Sequence, residues 1–471
     1  MNAKSILQLL IVLIASYVIS KLFVRSDTLM FFKLFIAVVV ILIFFKVALS
    51  SPLEKLLILI VLSIPFPVFP NIGGKDMDST TTMLIFVVFF AYASNMIFER
   101  KPILPERPFI LPVMMLVIAY MLSFINLPAA ALSNGIRNMM VLISCVLFFY
   151  MVINTCKDEE TLMKMLDLIT IICFLEVLVV LVQIFFTEHS SVLHIFASKA
   201  VNLAEKYEGR AHIRVSGTFG FDYEMAAEFF AINGLIQYFR IQLLKHSLKR
   251  VLYILCFVLT LFALISTGTR GGVVSMFAGI FIVMFIAHKH VNAGKNLVIF
   301  AFLGVFFFAL LLLLKDYLPL FGVLYDRFAG TKIEGGVPDT RSRVWSQIIP
   351  GIMNKPFIGH GPYSIGKLRI FMDPHSMYLY YLFNVGIVGF IAAMSFFIQL
   401  IVSGYKALKE SKSPIVSHAL IMLFGATVVF LIDEIKIPWQ RYSNFQQFIW
   451  FIFALLVSAV QLVKKQQKTD L

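Results

Sequence analysis

Charged residues are scarce in this sequence: only 14% of its 471 residues are Asp, Glu, Lys or Arg, whereas 60% are hydrophobic. A soluble domain has roughly 25% charged and 45–50% apolar residues, so a soluble globular protein is excluded. Disorder is excluded too, because a disordered chain combines low hydrophobicity with high charge. The composition therefore indicates an all-α polytopic integral membrane protein, with the lipid bilayer as its first partner.

Cysteine pairs and several catalytic signatures are also lacking. The four cysteines form no CxxC motif, so neither a disulfide framework nor a metal site is expected. The sequence contains no Walker loop, no Rossmann fingerprint, no HExxH motif and no DxD-type cluster. We therefore expect no cofactor and no metal, and the pattern disfavours a nucleotide-sugar donor.

Long apolar runs are plentiful. A membrane span needs about 20 mostly apolar residues, and fourteen segments of the sequence are candidates. They start near Ser5, Leu29, Leu53, Thr81, Pro108, Gly135, Leu166, Tyr223, Lys249, Gly271, Asn296, His375, Pro414 and Asn444. The third contains the proline-rich run SIPFPVFP and could be a broken or re-entrant piece. We predict a single transmembrane domain, residues 1–471, with twelve to fourteen spans.

The net charge of +14 is explained by the loops. Basic residues recur in every second loop, for example around Arg100, Arg240 and Lys406, and again in the tail. The positive-inside rule places these loops and both termini in the cytoplasm, which agrees with an even number of spans. No nucleic-acid partner is expected. Two long loops, residues 187–222 and 316–374, then fall on the outer side, where long loops usually carry function.

Part of the second long loop has helical periodicity. Asp339 or Thr340 is a candidate cap. At 100° per residue, four apolar side chains share one face, which predicts a short helix on the outer membrane surface. These side chains are Trp345, Ile348, Ile349 and Ile352. Arg343 projects opposite Trp345, and Arg341 lies near the apolar stripe.

Arginines near the outer ends of spans are the first candidates for chemistry. Arg270 lies in STGTRGG at the start of a span, where a guanidinium, flanking glycines and a helix N-terminus together favour a phosphate. Arg210 and Arg214 lie in GRAHIRVSGTFGFDYEMAAEF, with His212 and several acids nearby. Arg341 and Arg343 begin the predicted surface helix and suit an anionic ligand. Each of these five arginines is also compatible with a plain salt bridge or a contact with a lipid headgroup.

His375 begins the twelfth candidate span in PHSMYLYYLFNVGIVGF. An imidazole at this boundary can accept a proton near neutral pH, although an ordinary interfacial histidine fits the bare sequence as well. Glu176 in the seventh span is interpreted as hydrogen-bonded within the bundle, with a proton relay as the alternative. Glu434, Lys436 and Arg441 are predicted to form an outer ion-pair group beside the site.

Together these residues resemble the O-antigen ligase/polymerase superfamily, the Wzy- and WaaL-like proteins of bacterial surface polysaccharide assembly. The resemblance covers roughly residues 210–389. It is carried by STGTRGG, by the stretch from Arg341 through Trp345, Pro356, Gly359 and Gly361, and by His375-Ser376 followed after nine residues by Gly386-x-x-Gly389. The segment from Arg214 to Phe219 also resembles a family element. This chain has Asp222-Tyr223-Glu224 where Asp-Pro-Asn is common, so the resemblance assigns no role to Asp222 or Glu224.

The resemblance implies a GT-C-like fold and a metal-independent, inverting or retaining glycosyl transfer at the periplasmic face of the bacterial inner membrane. The donor would be a glycan on undecaprenyl diphosphate. The roles it implies place Arg270 and Arg343 on the diphosphate, Arg214, Arg341 and Arg210 in support, and His375 in activation of the acceptor. A chain-length regulator and a flippase are the protein partners that this setting implies.

Three functions remain open from the sequence. The first is a polymerase that joins lipid-linked repeat units into O-antigen, capsule or exopolysaccharide. The second is a ligase that transfers the finished glycan to lipid A-core or another acceptor, and the histidine motif does not separate the two. The third is a lipid-linked oligosaccharide transporter, which the absence of inverted repeats and the one-sided arginines disfavour.

Overall fold

The computed structural model describes most of the chain. The described residues are 45–65, 80–185, 205–207, 210–212, 215–219, 223–244, 247–287, 293–317, 319–330, 333–334, 337–362 and 374–469. The candidate spans that start near Ser5 and Leu29 lie outside them.

Helices dominate this part of the chain, as predicted. The helices are α1 (Leu53–Ser63), α2 (Thr80–Phe98), α3 (Ile110–Ser123), α4 (Leu132–Thr155), α5 (Glu159–Phe185), α6 (Tyr223–Leu243), α7 (Leu248–Ser266), α8 (Arg270–Ile286), α9 (Ala293–Leu314), α10 (Pro319–Ala329), α11 (Asp339–Asn354), α12 (Met377–Glu410), α13 (Pro414–Asp433) and α14 (Ser443–Thr469). Two antiparallel pairs of very short strands lie in the two long loops: β1 (Glu205–Tyr207) with β2 (Arg210–His212), and β3 (Ile333–Glu334) with β4 (Val337–Pro338).

Seven helical segments of the described residues are long and apolar enough to cross a membrane, and three shorter apolar helices accompany them. The protein is thus an all-α polytopic membrane protein. A helix begins within three residues of each candidate start outside residues 1–44 except the seventh, where α5 begins at Glu159, seven residues before Leu166. The third candidate is the short α1, of 11 residues.

The centre of the bundle is formed by α6, α13 and α14. Helix α6 packs on α7, α8 and α13, whereas α14 packs on α4, α12 and α13. Nearly every residue of α6 is buried. Large aromatic side chains such as Phe149, Phe396 and Trp450 stack where α4, α12 and α14 meet.

The two ends of the bundle carry separate sets of helix termini. At the end assigned to the cytoplasm, Asp167 of α5 accepts hydrogen bonds from Arg240 of α6 (2.9 Å) and from Lys249 (2.6 Å) and Tyr253 (2.6 Å) of α7. At the other end, the side chain of Asn126, just after α3, donates to the Gly359 carbonyl at 2.8 Å. Loops that the positive-inside rule places on the same side of the membrane therefore contact one another.

Helix α12 is interrupted, whereas the sequence predicts one continuous span. Gly386 has φ +67° and ψ −170°, which is not helical. The backbone of residues 355–361 lies in the break, where the N–H groups of Ile387 and Val388 donate to the carbonyls of Pro356 (2.8 Å) and Phe357 (3.2 Å). The inserted chain supplies the acceptors that the broken helix lacks, which a membrane interior requires.

The inserted segment also binds the other side of the break. The N–H groups of His360 and Gly361 donate to the carbonyls of Phe383 and Asn384, each at 2.9 Å. The imidazole of His360 stacks on Phe383, with ring centroids 4.5 Å apart, and its Nε2 contacts the Gly351 carbonyl at 2.8 Å. Burial lowers the pKa of His360, which favours the neutral ring in this position.

Candidate active site

The STGTRGG motif is a tight turn between α7 and α8. Helix α7 ends at Ser266, and Gly268 adopts φ +62°, a left-handed conformation typical just after a helix end. The Thr267 hydroxyl donates to the Leu264 carbonyl at 2.7 Å and accepts from the Thr269 N–H at 3.2 Å. Helix α8 then begins at Arg270, whose side chain is partly buried. A helix therefore begins where the sequence predicts the start of a span.

The two glycines after Arg270 allow close packing. A Cβ atom at Gly272 would lie 2.8 Å from the Cβ of Ala227, so this glycine lets α8 approach α6. A Cβ atom at Gly271 would lie 2.7 Å from Nζ of Lys436. The space beside both glycines is filled by protein, whereas the sequence analysis left it to a phosphate. Helix α8 therefore begins at Arg270, and the residue after it, Gly271, lies against the buried Lys436.

His375 lies in a strained turn just before α12. Its φ is +48°, a left-handed conformation that is uncommon for residues other than glycine and is often found at functional sites. The indole Nε1 of Trp345 in α11 donates to the Pro374 carbonyl at 2.8 Å, which fixes the turn from outside. The helix begins two residues later at Met377.

Glu224 in the first turn of α6 is the acid next to His375. Its Oε2 lies 3.8 Å from Nδ1 of His375, and the two side chains are 27% and 30% exposed. One residue earlier, the Tyr223 carbonyl accepts a hydrogen bond from the Thr269 hydroxyl at 3.3 Å. The start of α6 therefore contacts both the turn that carries Arg270 and the turn that carries His375.

The residues at the end of α13 lie beside the Arg270 and His375 turns. Asp433 and Lys436 form an ion pair of 2.8 Å, with side chains only 1% and 9% exposed. The Glu434 carbonyl accepts from the Met377 N–H at 2.9 Å, and its carboxylate accepts from the Trp439 N–H at 3.1 Å. Sequence analysis singled out Lys436 but missed Asp433. An acid ending an apolar run, three residues before a lysine, was the signal.

The segment Val215–Phe219 is buried against α5. The Glu176 carboxylate accepts hydrogen bonds from the N–H group (3.0 Å) and the hydroxyl of Thr218. The Gln183 amide exchanges two hydrogen bonds with the backbone of Gly217, at 2.8 and 3.0 Å. The interpretation of Glu176 as a hydrogen-bonded residue in the bundle agrees with this geometry. The Val215 N–H also donates to the Ser266 carbonyl at 3.3 Å, which joins this segment to the STGTRGG turn.

The structure describes the other candidate arginines only in part. Arg210 lies in β2, paired with Tyr207 of β1. Arg341 and Arg343 lie in the first two turns of α11, but their side chains are outside the described residues, as is the whole of Arg214. The site residues that the structure brings together are therefore Arg270 and His375, with Glu224, Asp433 and Lys436 beside them.

A helix is present where the sequence predicts one, as α11, but its apolar face packs on α12 and differs at one residue from the predicted face. Val344 and Ile348 are buried, and Trp345 and Ile352 pack beside them on Tyr380 and Phe383 of α12. Ile349 was predicted on this face, but it is 50% exposed because the buried face is centred on residues 344 and 348. The stripe packs on protein, and α11 is thereby held against the helix that His375 precedes.

This geometry places an imidazole, a carboxylate and basic side chains at one end of the bundle. Residues 255–394, which include Arg270, the helix α11 and His375, match the family model described as O-antigen ligase. A search of curated proteins finds no match for the chain. The match confirms the resemblance to the O-antigen ligase/polymerase superfamily for this segment. It implies a ligase- or polymerase-type glycosyl transfer from a lipid-linked glycan in the membrane.

Proposed function

We propose that this protein is a glycosyltransferase that polymerises undecaprenyl-diphosphate-linked oligosaccharide repeat units at the periplasmic face of the bacterial inner membrane. The observation that carries the proposal is the meeting of His375, Glu224 and the Arg270 turn within one end of the bundle. Two of these three elements lie in the segment that matches the O-antigen ligase model.

His375 is the proposed base. The acceptor hydroxyl attacks the anomeric carbon of the donor sugar, and its proton passes to Nε2 of His375. Nδ1 lies 3.8 Å from the Glu224 carboxylate, close enough for its negative charge to stabilise the imidazolium that forms. A new bond joins the acceptor oxygen to the anomeric carbon, and the old bond to the phosphate oxygen breaks. Its electron pair leaves with the lipid diphosphate.

Arginines are the proposed binding groups for the leaving diphosphate. Negative charge grows on the phosphate oxygens as the glycosidic bond breaks, and a guanidinium can neutralise it with two hydrogen bonds and no metal. We assign this role to Arg270 and Arg343, with Arg341, Arg214 and Arg210 in support. Lys436 lies beside Gly271, but its charge is paired with Asp433, so the arginines are the groups left to bind the diphosphate.

The proposed orientation follows the charge of the loops. Both termini and the Asp167 cluster face the cytoplasm, where basic residues accumulate. The end that holds His375 then faces the periplasm, together with the loops of residues 187–222 and 316–374. A flippase would deliver the lipid-linked donor to this side, and a chain-length regulator would act on the product.

Polysaccharide profiles of a deletion strain test the proposal. Wild type, Arg270→Ala, His375→Ala and Glu224→Gln are compared at equal membrane expression. His418→Ala and Arg107→Ala are matched controls, because both residues lie at the opposite end of the bundle. We expect deletion to reduce a ladder to one repeat, the controls to restore the ladder, and the Arg270 and His375 variants to fail. A ladder restored by both site variants would refute the assignment.

A ligase is the second candidate, because the matching family model is described as O-antigen ligase. The same experiment separates the two. Loss of a polymerase leaves a single repeat on the acceptor, whereas loss of a ligase leaves the finished polymer on undecaprenyl diphosphate. The proton transfer and diphosphate contacts proposed above are the same in both reactions.

A further inference from the structure

Helix α11 has a second row of apolar side chains, which the described part of the chain leaves exposed. Its buried face, with Val344 and Ile348, packs on α12. Beside that face, Ile349 is 50% exposed and Met353 is 71% exposed, and Phe357, just beyond the end of the helix, is also 71% exposed. Single exposed apolar residues are ordinary, but these three follow one another along one flank. We call them the exposed stripe.

The other exposed flank of α11 is polar. At 100° per residue, Ile349 and Met353 lie about 40° apart, whereas the exposed Gln347 and Asn354 lie about 100° or more from both. A buried face, an apolar flank and a polar flank therefore follow one another around the helix. A helix that separates apolar and polar flanks in this way is typical of one that lies in the interface between lipid and water.

The lengths of two helices place α11 at the boundary of the membrane. Helix α13 has 20 residues, or about 30 Å, which matches the hydrocarbon core of a bilayer. Helix α12 has 34 residues, although it meets α13 at both ends, where the Met377 N–H donates to the Glu434 carbonyl and the Ser411 hydroxyl contacts the first turn of α13. The piece after the break at Gly386, residues 387–410, is alone about 36 Å long. The piece before the break therefore lies across the end of the bundle, and α11 packs on it.

The exposed stripe continues an apolar surface of the membrane domain. The side chain of Asn126, just after α3, donates to the carbonyl of Gly359, two residues beyond Phe357. Next to it, Ile125 is 75% exposed, and Met121 one turn earlier is 60% exposed. The outward face of such an apolar helix meets acyl chains in a bilayer. The stripe on α11 therefore begins where the lipid-facing surface of α3 ends.

We propose that α11 is embedded in the lipid leaflet at the His375 end of the bundle, with the exposed stripe among the acyl chains and the polar flank in water. The leaflet then holds α11 against the first piece of α12. Trp345 of the same helix donates to the Pro374 carbonyl at 2.8 Å, so the leaflet also supports the turn that carries His375. The embedding does not depend on the proposed function, whereas its effect on sugar transfer does.

Fluorescence quenching tests the embedding without any transfer reaction. Cys256→Ala is the background, because the other three cysteines are buried. The full-length protein receives one new cysteine, Met353→Cys or the neighbouring control Asn354→Cys, is labelled with bimane and is placed in lipid nanodiscs. We expect brominated lipids to remove most of the fluorescence at residue 353 and little at residue 354, and iodide in the buffer to do the reverse. Bromine near the headgroup should quench more than bromine at the chain end, because an interfacial helix lies only about 5–10 Å deep.

Two quenching results would overturn the embedding. Iodide quenching of the label at Met353 that is as strong as at Asn354 would show that the exposed stripe lies in water. A label at Met353 that neither iodide nor brominated lipid quenches would show that protein covers the stripe.

Charges placed on the two flanks test the support of the His375 turn. Ile349→Glu/Met353→Glu adds two carboxylates on the lipid side, and Gln347→Glu/Asn354→Glu adds the same charges on the water side. We expect the first variant to lose most polysaccharide transfer and the second to retain it, at equal expression and with both melting temperatures above the assay temperature. Equal transfer by the two variants would refute the support of the turn and leave the embedding in place. A wild-type protein that shows the expected quenching but transfers no sugar would refute the proposed function alone.

Discussion

The break in α12 predicts what a single added side-chain atom at Gly386 would do to stability. Gly386→Ala adds a Cβ atom where φ is +67° and ψ is −170°, a conformation that residues with a side chain rarely adopt. The new atom would clash with the Phe357 carbonyl oxygen and lie 2.6 Å from the Ile358 nitrogen. These are backbone atoms of the inserted segment, so they cannot move aside as the end of a flexible side chain could.

The cost follows from two contributions. The conformation itself costs an alanine about 1–3 kcal/mol. Displacement of the inserted segment also breaks the hydrogen bonds from Ile387 and Val388, at about 1 kcal/mol each. The total is about 3–5 kcal/mol. Gly404→Ala in the same helix is the matched control. Its φ is helical, and its Cβ would lie 3.1 Å from a Phe424 ring atom, so a helix-propensity gain of about 1 kcal/mol offsets a mild contact.

Thermal unfolding of the purified protein in detergent measures the difference. At about 2 °C for each kcal/mol, Gly386→Ala should lower the melting temperature by about 6–10 °C, and Gly404→Ala should leave it nearly unchanged. Polysaccharide transfer should fall with Gly386→Ala, because the helical piece that carries His375 is held in place by the same insertion. Equal melting temperatures and equal transfer for the two variants would refute the account of the break.

Three further predictions concern the groups around His375. Asp433→Asn or Lys436→Met alone should destabilise the protein by about 3–5 kcal/mol, because each leaves a buried charge unpaired, and the double variant should recover most of that stability in the same unfolding assay. Glu176→Gln should retain transfer, because the amide can still bind the backbone of residues 215–219. Glu176→Leu should lose transfer, because that anchor is removed. Loss of transfer in the Glu176→Gln variant would instead support a proton relay. Trp345→Phe should keep the fold and lower kcat roughly five-fold, which corresponds to one lost hydrogen bond of about 1 kcal/mol. His375→Ala should remove transfer altogether. An unchanged kcat in the Trp345→Phe variant would show that the turn before α12 needs no support from α11.

The sequence predicts the helices well because the bilayer leaves few choices. Every backbone group in lipid must be satisfied by protein, and a continuous helix does this within itself, so a long apolar run such as that of α5 or α14 favours a helix. The start of α8 at Arg270 and the helix α11 were predicted for similar local reasons. Periodicity identified the apolar face of α11 to within one residue, and it failed at Ile349.

Long-range contacts explain what the sequence could not predict. The break in α12 depends on a segment that lies about 25 residues earlier, and no local pattern around Gly386 specifies what fills it. The partner of His375 comes from α6, over a hundred residues away, at a position where the family resemblance gave Glu224 no role. Asp433 was missed for a different reason, because its signal was local and lay outside the arginine clusters that drew attention.

The break also explains why glycines far apart in the sequence belong to one structural unit. Gly359 lies against the α12 backbone at Asn384 and Val385, and Gly386 lies against the inserted backbone at Phe357 and Ile358. A side chain on either glycine would therefore separate the inserted segment from α12. The helical piece between His375 and the break is nine residues long, or about 13 Å. It is held at one end by the Met377 N–H on Glu434 and at the other by the insertion. A rigid piece fixed at both ends can keep a strained histidine turn in place, and His375 stays within reach of Glu224 for that reason.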